Sequence, residues 1–312
     1  MANSTILYAC THEGLAIFNK PGTLPEWLPP RMSLPQQEVT SAWAEPGPPI
    51  RVLAAVDGAL MLSENGGRTW EAVKPGDGDG ASPFMSIFYV SDTHTVFAVQ
   101  YDGGLWKSGD GGGSWERLRS LPAEGCVLAL EPVHGSAGEF YALVGESDGA
   151  ALYRGSPDTG RWSAVAGEGL RDLGLVAIGQ AAGVGLYGLT AEGVVAVVER
   201  DENVDVTLLE GSPQGGEALA VITGAALVQA ALVVGTQDGA VVGPDGGATW
   251  NTPEMPHDGG VTAFARDPER RDRLYAALGT GYLVESGNRG GSWQAINVAP
   301  VGPVGFIYVV RI

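Results

Sequence analysis

The sequence predicts an all-β protein assembled from repeated units, and three observations support this prediction. Glycine occurs 48 times in 312 residues and charged residues make up only 17%, which is typical of many tight turns between short apolar segments. Short apolar runs separated by glycine turns recur roughly every 8 to 12 residues, as in β architectures. Tryptophan returns at a nearly constant spacing, which indicates an internal repeat.

The tryptophan spacing counts the repeats. Five tryptophans are separated by 45, 47, 88 and 43 residues, and the gap of 88 corresponds to two units with one marker lost near Val206. A further step of 43 residues toward the N-terminus reaches another tryptophan. The six markers are Trp27, Trp70, Trp115, Trp162, Trp250 and Trp293. Seven units with a period near 45 predict a seven-bladed β-propeller with four-stranded antiparallel blades.

The order of apolar runs within one repeat predicts its four strands. In the third repeat, FMSIFYV begins at residue 84, TVFAVQ at 95 and GLWKS at 104, and a polar turn then leads to Trp115. We expect the fourth strand of each blade to begin at the marker tryptophan. The same order recurs in the other repeats, so one supersecondary unit accounts for most of the chain.

The two ends of the chain complete one another in this scheme. The chain opens on TILYACTHEG, which corresponds to a second strand, and it closes on the apolar run GFIYVVRI at 305–312. We expect this last run to become the inner strand of the first blade, which closes the ring and removes two exposed sheet edges. The expected blades of the single domain 1–312 are 303–312 with 5–30, 39–76, 84–121, 127–170, 175–211, 218–255 and 261–298.

A polar octet precedes four of the tryptophans. The copies are SENGGRTW at 63–70, SGDGGGSW at 108–115, GPDGGATW at 243–250 and SGNRGGSW at 286–293. Asp or Asn at the third position can accept hydrogen bonds from backbone N–H groups further along the turn. The glycines allow positive φ, and the indole can pack between blades. The residues with this expected structural role are Ser63, Asn65, Gly67, Thr69, Trp70, Ser108, Asp110, Gly112, Ser114, Trp115, Asp245, Gly247, Thr249, Trp250, Ser286, Asn288, Gly290, Ser292 and Trp293.

The octet pattern Ser-x-(Asp/Asn)-x-Gly-x-(Thr/Ser)-Trp resembles the Asp-box, or BNR repeat. This repeat is found in the propellers of sialidases, sortilin-type receptors, xyloglucanases and photosystem II assembly factors. The resemblance implies that the octets lie on the rim opposite the ligand-binding face. Three copies match the pattern completely, and the fourth has Gly243 in place of the serine. A catalytic role for the octets is disfavoured because Asn65 and Asn288 replace the carboxylate in two of the three complete copies, and an amide cannot act as an acid or base.

The turns between second and third strands carry a different signal. An acidic residue directly precedes the turn glycine in six of the seven repeats, at Glu13, Asp57, Asp102, Asp148, Glu192 and Asp238, and the seventh has Thr280. Asp-Gly is a favoured hairpin turn, so a purely structural reason is available. The alternative is a ring of carboxylates that makes the channel mouth negative and suited to a cation or a basic partner. His12 and His257 fall on the same expected face.

Charge and composition restrict the possible partners. The net charge is −18 with only three lysines, so we expect no nucleic-acid binding. No apolar run is long enough for membrane insertion, and the N-terminus has no signal-peptide pattern. A cytoplasmic location is therefore expected, while a secreted mature form stays open. Cys10 and Cys126 show no metal-ligand spacing, and we expect buried free thiols, no metal and no cofactor.

The leading functional interpretation is a non-catalytic, monomeric binding or assembly platform whose partner is a protein, basic or otherwise, or a glycan. A sialidase-like glycoside hydrolase would need three arginines that converge on a carboxylate. Few arginines fall on inner strands or mouth loops: Arg266 and Arg311 lie toward the ends of their inner strands, and Arg171 lies in a connection. The acidic, lysine-poor chain also departs from the arginine patch of photosystem assembly factors. The hydrolase, with stacked aromatics such as Trp43 or Tyr89, and a lectin-like glycan binder remain the alternatives.

Overall fold

The computed structural model is all-β and forms a ring of seven antiparallel blades. It describes residues 4–47, 50–76, 82–90, 93–118, 126–134, 136, 138–146, 149–165, 174–181, 185–200, 203–222 and 230–312. Within this part of the chain, no helix is long and apolar enough to cross a membrane.

The inner and second strands form the centre of each blade. The inner strands are β4 (Val39–Ala44), β8 (Phe84–Val90), β12 (Cys126–Pro132), β16 (Ala177–Ala181), β20 (Ala218–Ile222), β23 (Val261–Arg266) and β27 (Val304–Arg311). The second strands are β1 (Thr5–Thr11), β5 (Val52–Val56), β9 (Thr95–Gln100), β13 (Phe140–Glu146), β17 (Gly185–Thr190), β21 (Ala231–Thr236) and β24 (Leu274–Leu278). Each inner strand contacts the inner strand of the next blade, and the contact of β23 with β27 and of β27 with β4 closes the ring.

The third and outer strands complete the blades. The third strands are β2 (Gly14–Lys20), β6 (Ala59–Ser63), β10 (Leu105–Ser108), β14 (Gly149–Ser156), β18 (Gly193–Arg200), β22 (Gly239–Gly243) and β25 (Leu283–Ser286). The outer strands are β3 (Arg31–Ser33), β7 (Glu71–Val73), β11 (Glu116–Arg117), β15 (Arg161–Ala164), β19 (Asn203–Leu208) and β26 (Gln294–Ala295).

The chain termini meet in the first blade, whose strand order is β27-β1-β2-β3. Strand β27 pairs antiparallel with β1 from Thr5↔Arg311 to Thr11↔Val304. The prediction that the C-terminal strand completes the first blade is therefore confirmed. A β-bulge interrupts this pairing near Thr11, and bulges also occur near the start of β4, β8, β12 and β23.

Two outer strands differ from the expectation that each begins at its tryptophan. In the first blade, the outer strand begins at Arg31, four residues after Trp27, because Pro29 and Pro30 have no N–H group to donate to a neighbouring strand. In the sixth blade, the fourth strand is reduced to one bridge between Val242 and Asn251. The segment TPEMP at 252–256 follows this bridge, and its two prolines prevent a longer ladder.

The hydrophobic core lies between adjacent blades. In one cluster, Trp43 and Leu53 of the second blade pack against Ile87 and Val96 of the third. The second strands are buried almost throughout, as β5 shows, because both faces of each sheet are covered by neighbouring blades. Cys10 is buried as expected, whereas Cys126 is only half-buried, and both thiols are free.

Candidate functional site

The strand order separates the turns of each blade onto two faces of the ring. Turns between second and third strands, and connections from an outer strand to the next inner strand, leave from one end of the antiparallel sheets. We call this end the acidic-turn face. Turns between third and outer strands leave from the opposite end, which we call the octet face. A hydrogen bond supports this division. The N–H of Asp57, in a turn between second and third strands, donates to the carbonyl of Glu38, in the connection that leads into β4, so both lie on the acidic-turn face.

The octet face is held by the polar side chains of the octets themselves. Asn65 Oδ1 accepts the N–H groups of Arg68 and Thr69 at 3.0 and 2.9 Å, and Ser63 Oγ accepts the Gly67 N–H at 2.9 Å. Asp110, Asp245 and Asn288 accept the equivalent N–H groups four residues on at 2.8–2.9 Å. Asp and Asn are interchangeable here because the hydroxyl of the following Ser or Thr donates to Asp110 and Asp245 but accepts from Asn65 and Asn288.

The octets also join neighbouring blades. Gly67 has φ +80°, and a Cβ at this position would lie 2.8 Å from Ile17 Cδ1 in the preceding blade. The Gly67 carbonyl accepts hydrogen bonds from Ser33 Oγ at 2.6 Å and Arg31 Nη1 at 2.9 Å. Trp70 Nε1 donates to the same Ser33 hydroxyl at 2.9 Å. The octet thus fixes one blade against the previous one as well as closing its own turn.

Hydrogen bonding lowers the pKa of Asp110, the one aspartate among the three complete octets. Burial alone would raise the pKa of Asp110, but the Ser114 hydroxyl and N–H, the Ser108 hydroxyl and the Gly113 N–H outweigh it and lower the pKa to about 2. Hydrogen bonds from Thr249 likewise lower the pKa of Asp245. Both carboxylates are therefore acceptors at neutral pH, and neither can serve as a general acid there.

The acidic-turn face is organised by a different residue, a threonine two positions before the acid. Thr11 Oγ1 donates to the Gly14 carbonyl at 2.8 Å and accepts the Glu13 N–H at 3.1 Å. Thr190 makes the equivalent pair of hydrogen bonds with Gly193 and Glu192, and Thr236 with Gly239 and Asp238. Since the threonine satisfies the turn, the acidic side chain is not needed for it. The pattern Thr-x-(Asp/Glu)-Gly in the sequence signals this arrangement, and the acidic residues alone do not.

The acidic side chains on this face therefore fall into two groups. Glu13, Glu192 and Asp238 are exposed, and their carboxylates have no hydrogen bond or ion pair within the described part of the chain. The carboxylates of Asp57 and Asp102 instead accept hydrogen bonds from the backbone. Asp57 Oδ1 accepts the Glu38 N–H at 2.9 Å, and Asp102 Oδ1 accepts the Gly104 N–H at 3.1 Å. Asp148 lies outside the described residues.

The two histidines of this face have separate surroundings. His12 Nδ1 lies 2.8 Å from Glu38 Oε1, and both side chains are exposed. The His257 ring stacks on Tyr282 with ring centroids 3.9 Å apart and an interplanar angle of 14°. No cluster of three or more metal-ligating side chains is found among the described residues.

Two inner strands carry an apolar side chain at the bulge near the acidic-turn face. The bulges place Met85 of β8 and Leu128 of β12 near the start of their inner strands. Leu128 is 47% exposed and Met85 is half-buried. Thr40 and Thr262 occupy the corresponding bulges of β4 and β23. Bulges re-aim side chains, so these positions add apolar groups to the face that also carries the exposed carboxylates.

Of the residues expected for a hydrolase, those that the structure describes are not gathered in an open mouth. Trp43 is 2% exposed and packs on Tyr89, with ring centroids 5.1 Å apart. Arg311 is buried at the octet-face end of β27 and pairs with Asp267 at 3.0 Å. Arg266 lies at the same end of β23 and donates to the Val221 carbonyl at 3.1 Å. Arg171 lies outside the described residues.

The fold and the two faces define a seven-bladed β-propeller. No family model matches the chain, and no curated protein is similar to it in sequence.

Solved structures resemble the chain at low sequence identity. YCF48 from Cyanidioschyzon merolae is 14% identical with a TM-score of 0.58, and the match covers 83% of this chain and 84% of that one. YCF48 bound to a D1 peptide is 14% identical with a TM-score of 0.50, covering 94% and 82%. A protein from Lactobacillus plantarum is 11% identical with a TM-score of 0.62, covering 99% of both chains. At these identities the likeness shows the propeller fold alone.

Proposed function

We propose that the protein is a non-catalytic binding or assembly platform that receives a basic protein partner on the acidic-turn face. The observation that carries the proposal is the Thr-x-(Asp/Glu)-Gly turn. Because the threonine supplies the turn's hydrogen bonds, the carboxylates of Glu13, Glu192 and Asp238 are left exposed for a partner. A fully solvated carboxylate contributes to steering and to specificity when a cation approaches it.

The rest of the face supports a protein partner. Met85 and Leu128 offer apolar surface near the start of their inner strands on this face, and protein interfaces combine apolar and polar surface. The net charge of −18 favours the approach of a positively charged surface. A propeller of similar fold, YCF48, has been solved with a bound D1 peptide, so a peptide ligand is compatible with this architecture.

We further propose that the octets are Asp-boxes with a structural role. Their hydrogen bonds close the turn between third and outer strands and fix adjacent blades, as described for Asn65, Gly67 and Ser33. This assigns the octet face to folding and leaves the opposite face for recognition.

The test compares charge reversal on the two faces. A partner is captured from an extract of the host with the wild-type protein, purified, and titrated by isothermal calorimetry. We expect the double variant Glu192→Lys/Asp238→Lys to weaken binding by tenfold or more and to reduce its salt dependence. The matched control Glu71→Lys/Glu116→Lys makes the same charge change on the outer strands β7 and β11 and should bind like wild type. Equal loss in both variants, or unchanged binding in the first, would overturn the proposal.

A further inference from the structure

The seam between the seventh and first blades contains an apolar groove of about 570 Å³. One wall is the segment 27–32, which leads into β3, and the other is the connection 296–302, which leads into β27. Glu13 of the first blade lies at one end of the groove. Ring closure alone brings these distant segments together, so no local sequence pattern predicts the groove.

Apolar side chains line this groove and are open to solvent. Val298 is 96% exposed, Met32 43% and Leu28 41%. Pro29, Pro30 and Pro300 add further apolar lining. These apolar side chains gather in one concave site instead of being scattered singly over the surface.

The walls of the groove are held in place without any ligand. Asn297 is 5% exposed, and its Nδ2 donates to the carbonyls of Gly281 and Ala299 at 3.2 and 2.7 Å. Its Oδ1 accepts the Leu283 N–H at 2.7 Å. On the other wall, the Leu28 N–H donates to the Asn19 carbonyl at 2.8 Å. Val298 is therefore presented to solvent by a fixed backbone, and a ligand would not have to order the site first.

The charge at the end of the groove identifies the kind of occupant. A Cβ built on Gly302 would lie 4.0 Å from Glu13 Oε2, so the carboxylate sits beside the end of the 296–302 wall. Glu13 has no ion-pair partner within the described part of the chain. An occupant with a positive charge next to its apolar residues would neutralise this carboxylate.

We propose that the groove binds an extended segment of a partner protein in which two or three apolar residues are followed by Lys or Arg. One wall runs into the short strand β3 and the other is a non-helical connection, and a linear segment laid between them can reach both walls and Glu13. Apolar side chains of the segment cover Val298, Met32 and Leu28, and its cation pairs with Glu13. Except for Glu13, this site uses none of the acidic-turn residues, so it can exist whether or not the platform function holds.

The probe is a phage-displayed library of random 12-residue peptides, selected on the wild-type protein. Selected peptides are synthesised with a fluorescein label and titrated by fluorescence anisotropy. We expect the selected sequences to share apolar residues followed by Lys or Arg. We expect Val298→Glu and Glu13→Lys each to weaken binding at least tenfold, while the matched charge reversal Asp238→Lys has no effect.

Two results would overturn the proposal. One is the absence of any selected peptide whose binding is weakened by Val298→Glu. The other is a wild-type dimer in sedimentation velocity that Val298→Glu converts to a monomer, which would assign the groove to a second copy of the chain. All the substituted side chains are exposed, and unchanged thermal unfolding would show that the variants are folded. Loss of the platform function in the Glu192/Asp238 double variant leaves these outcomes unaffected.

Discussion

The two faces of the ring use acidic and amide side chains in opposite ways. On the octet face, Asp110 and Asn65 each accept two backbone N–H groups of their own turn. On the acidic-turn face, a threonine takes that role, and the neighbouring Glu192 and Asp238 carboxylates remain exposed. The comparison teaches that a repeated acidic residue is structural where it caps the backbone, and is available for recognition where another group does so.

The largest expected effect concerns the buried charges near the octet face. Arg311 is paired with Asp267 at 3.0 Å with side chains 4% and 0% exposed, and Tyr275 also donates to this carboxylate. Arg311→Met should lower the free energy of unfolding by about 3–5 kcal/mol, because it leaves a buried carboxylate without its counter-ion. Lys107→Met breaks the exposed pair with Asp158 and should cost about 0–1 kcal/mol. Equal urea midpoints for the two variants would contradict this.

The next effect compares glycines on the two faces. Gly247 of an octet has φ +88°, and a Cβ there would lie 2.6 Å from Leu209 Cδ1 and 3.0 Å from the Trp250 ring. Gly215, in a connection on the acidic-turn face, has φ +63° and open space around it. Gly247→Ala should cost about 2–3 kcal/mol from backbone strain and overpacking, and Gly215→Ala about 1 kcal/mol from strain alone. Thermal unfolding of the two variants measures the difference, and a larger loss for Gly215→Ala would reverse the comparison.

The pH dependence of stability should be a smaller effect. The folded pKa of Asp110 is lowered to about 2, below the value of about 3.9 for an unfolded chain. Its contribution is therefore present above about pH 4 and is lost as the pH falls toward 2. Because Asp110 is well exposed, we expect no more than about 1 kcal/mol after screening. Urea titrations at several pH values should show a shallower acid loss in Asp110→Asn; an unchanged slope would contradict the assignment.

The sequence predicts the number of blades well because the glycine in each octet packs against an apolar side chain of the preceding blade. Gly67 against Ile17 and Gly247 against Leu209 are examples, and such contacts keep the spacing regular. The outer strand after Trp27 was misplaced because Pro29 and Pro30 delay it to Arg31. The acidic turns divide into those with free carboxylates and those whose carboxylates accept backbone hydrogen bonds, and these hydrogen bonds are not visible in the sequence. The Thr-x-(Asp/Glu)-Gly pattern is the sequence feature that predicts which carboxylates are free.

The apolar groove at the seam could not be predicted in the same way. Its walls, 27–32 and 296–302, lie at opposite ends of the chain and meet only because β27 completes the first blade. Each wall alone is an ordinary proline-containing connection.

The central claim is that Asp110 holds its turn whereas Asp238 does not, and one matched measurement tests it. Asp110→Ala and Asp238→Ala each remove one negative charge from the same protein, so any general change in charge repulsion is shared. Urea unfolding at pH 7 should show a loss of about 1–2 kcal/mol for Asp110→Ala, as for the loss of a capping side chain. Asp238→Ala should stay within about 0.5 kcal/mol of wild type. Equal losses, or a larger loss for Asp238→Ala, would contradict the account.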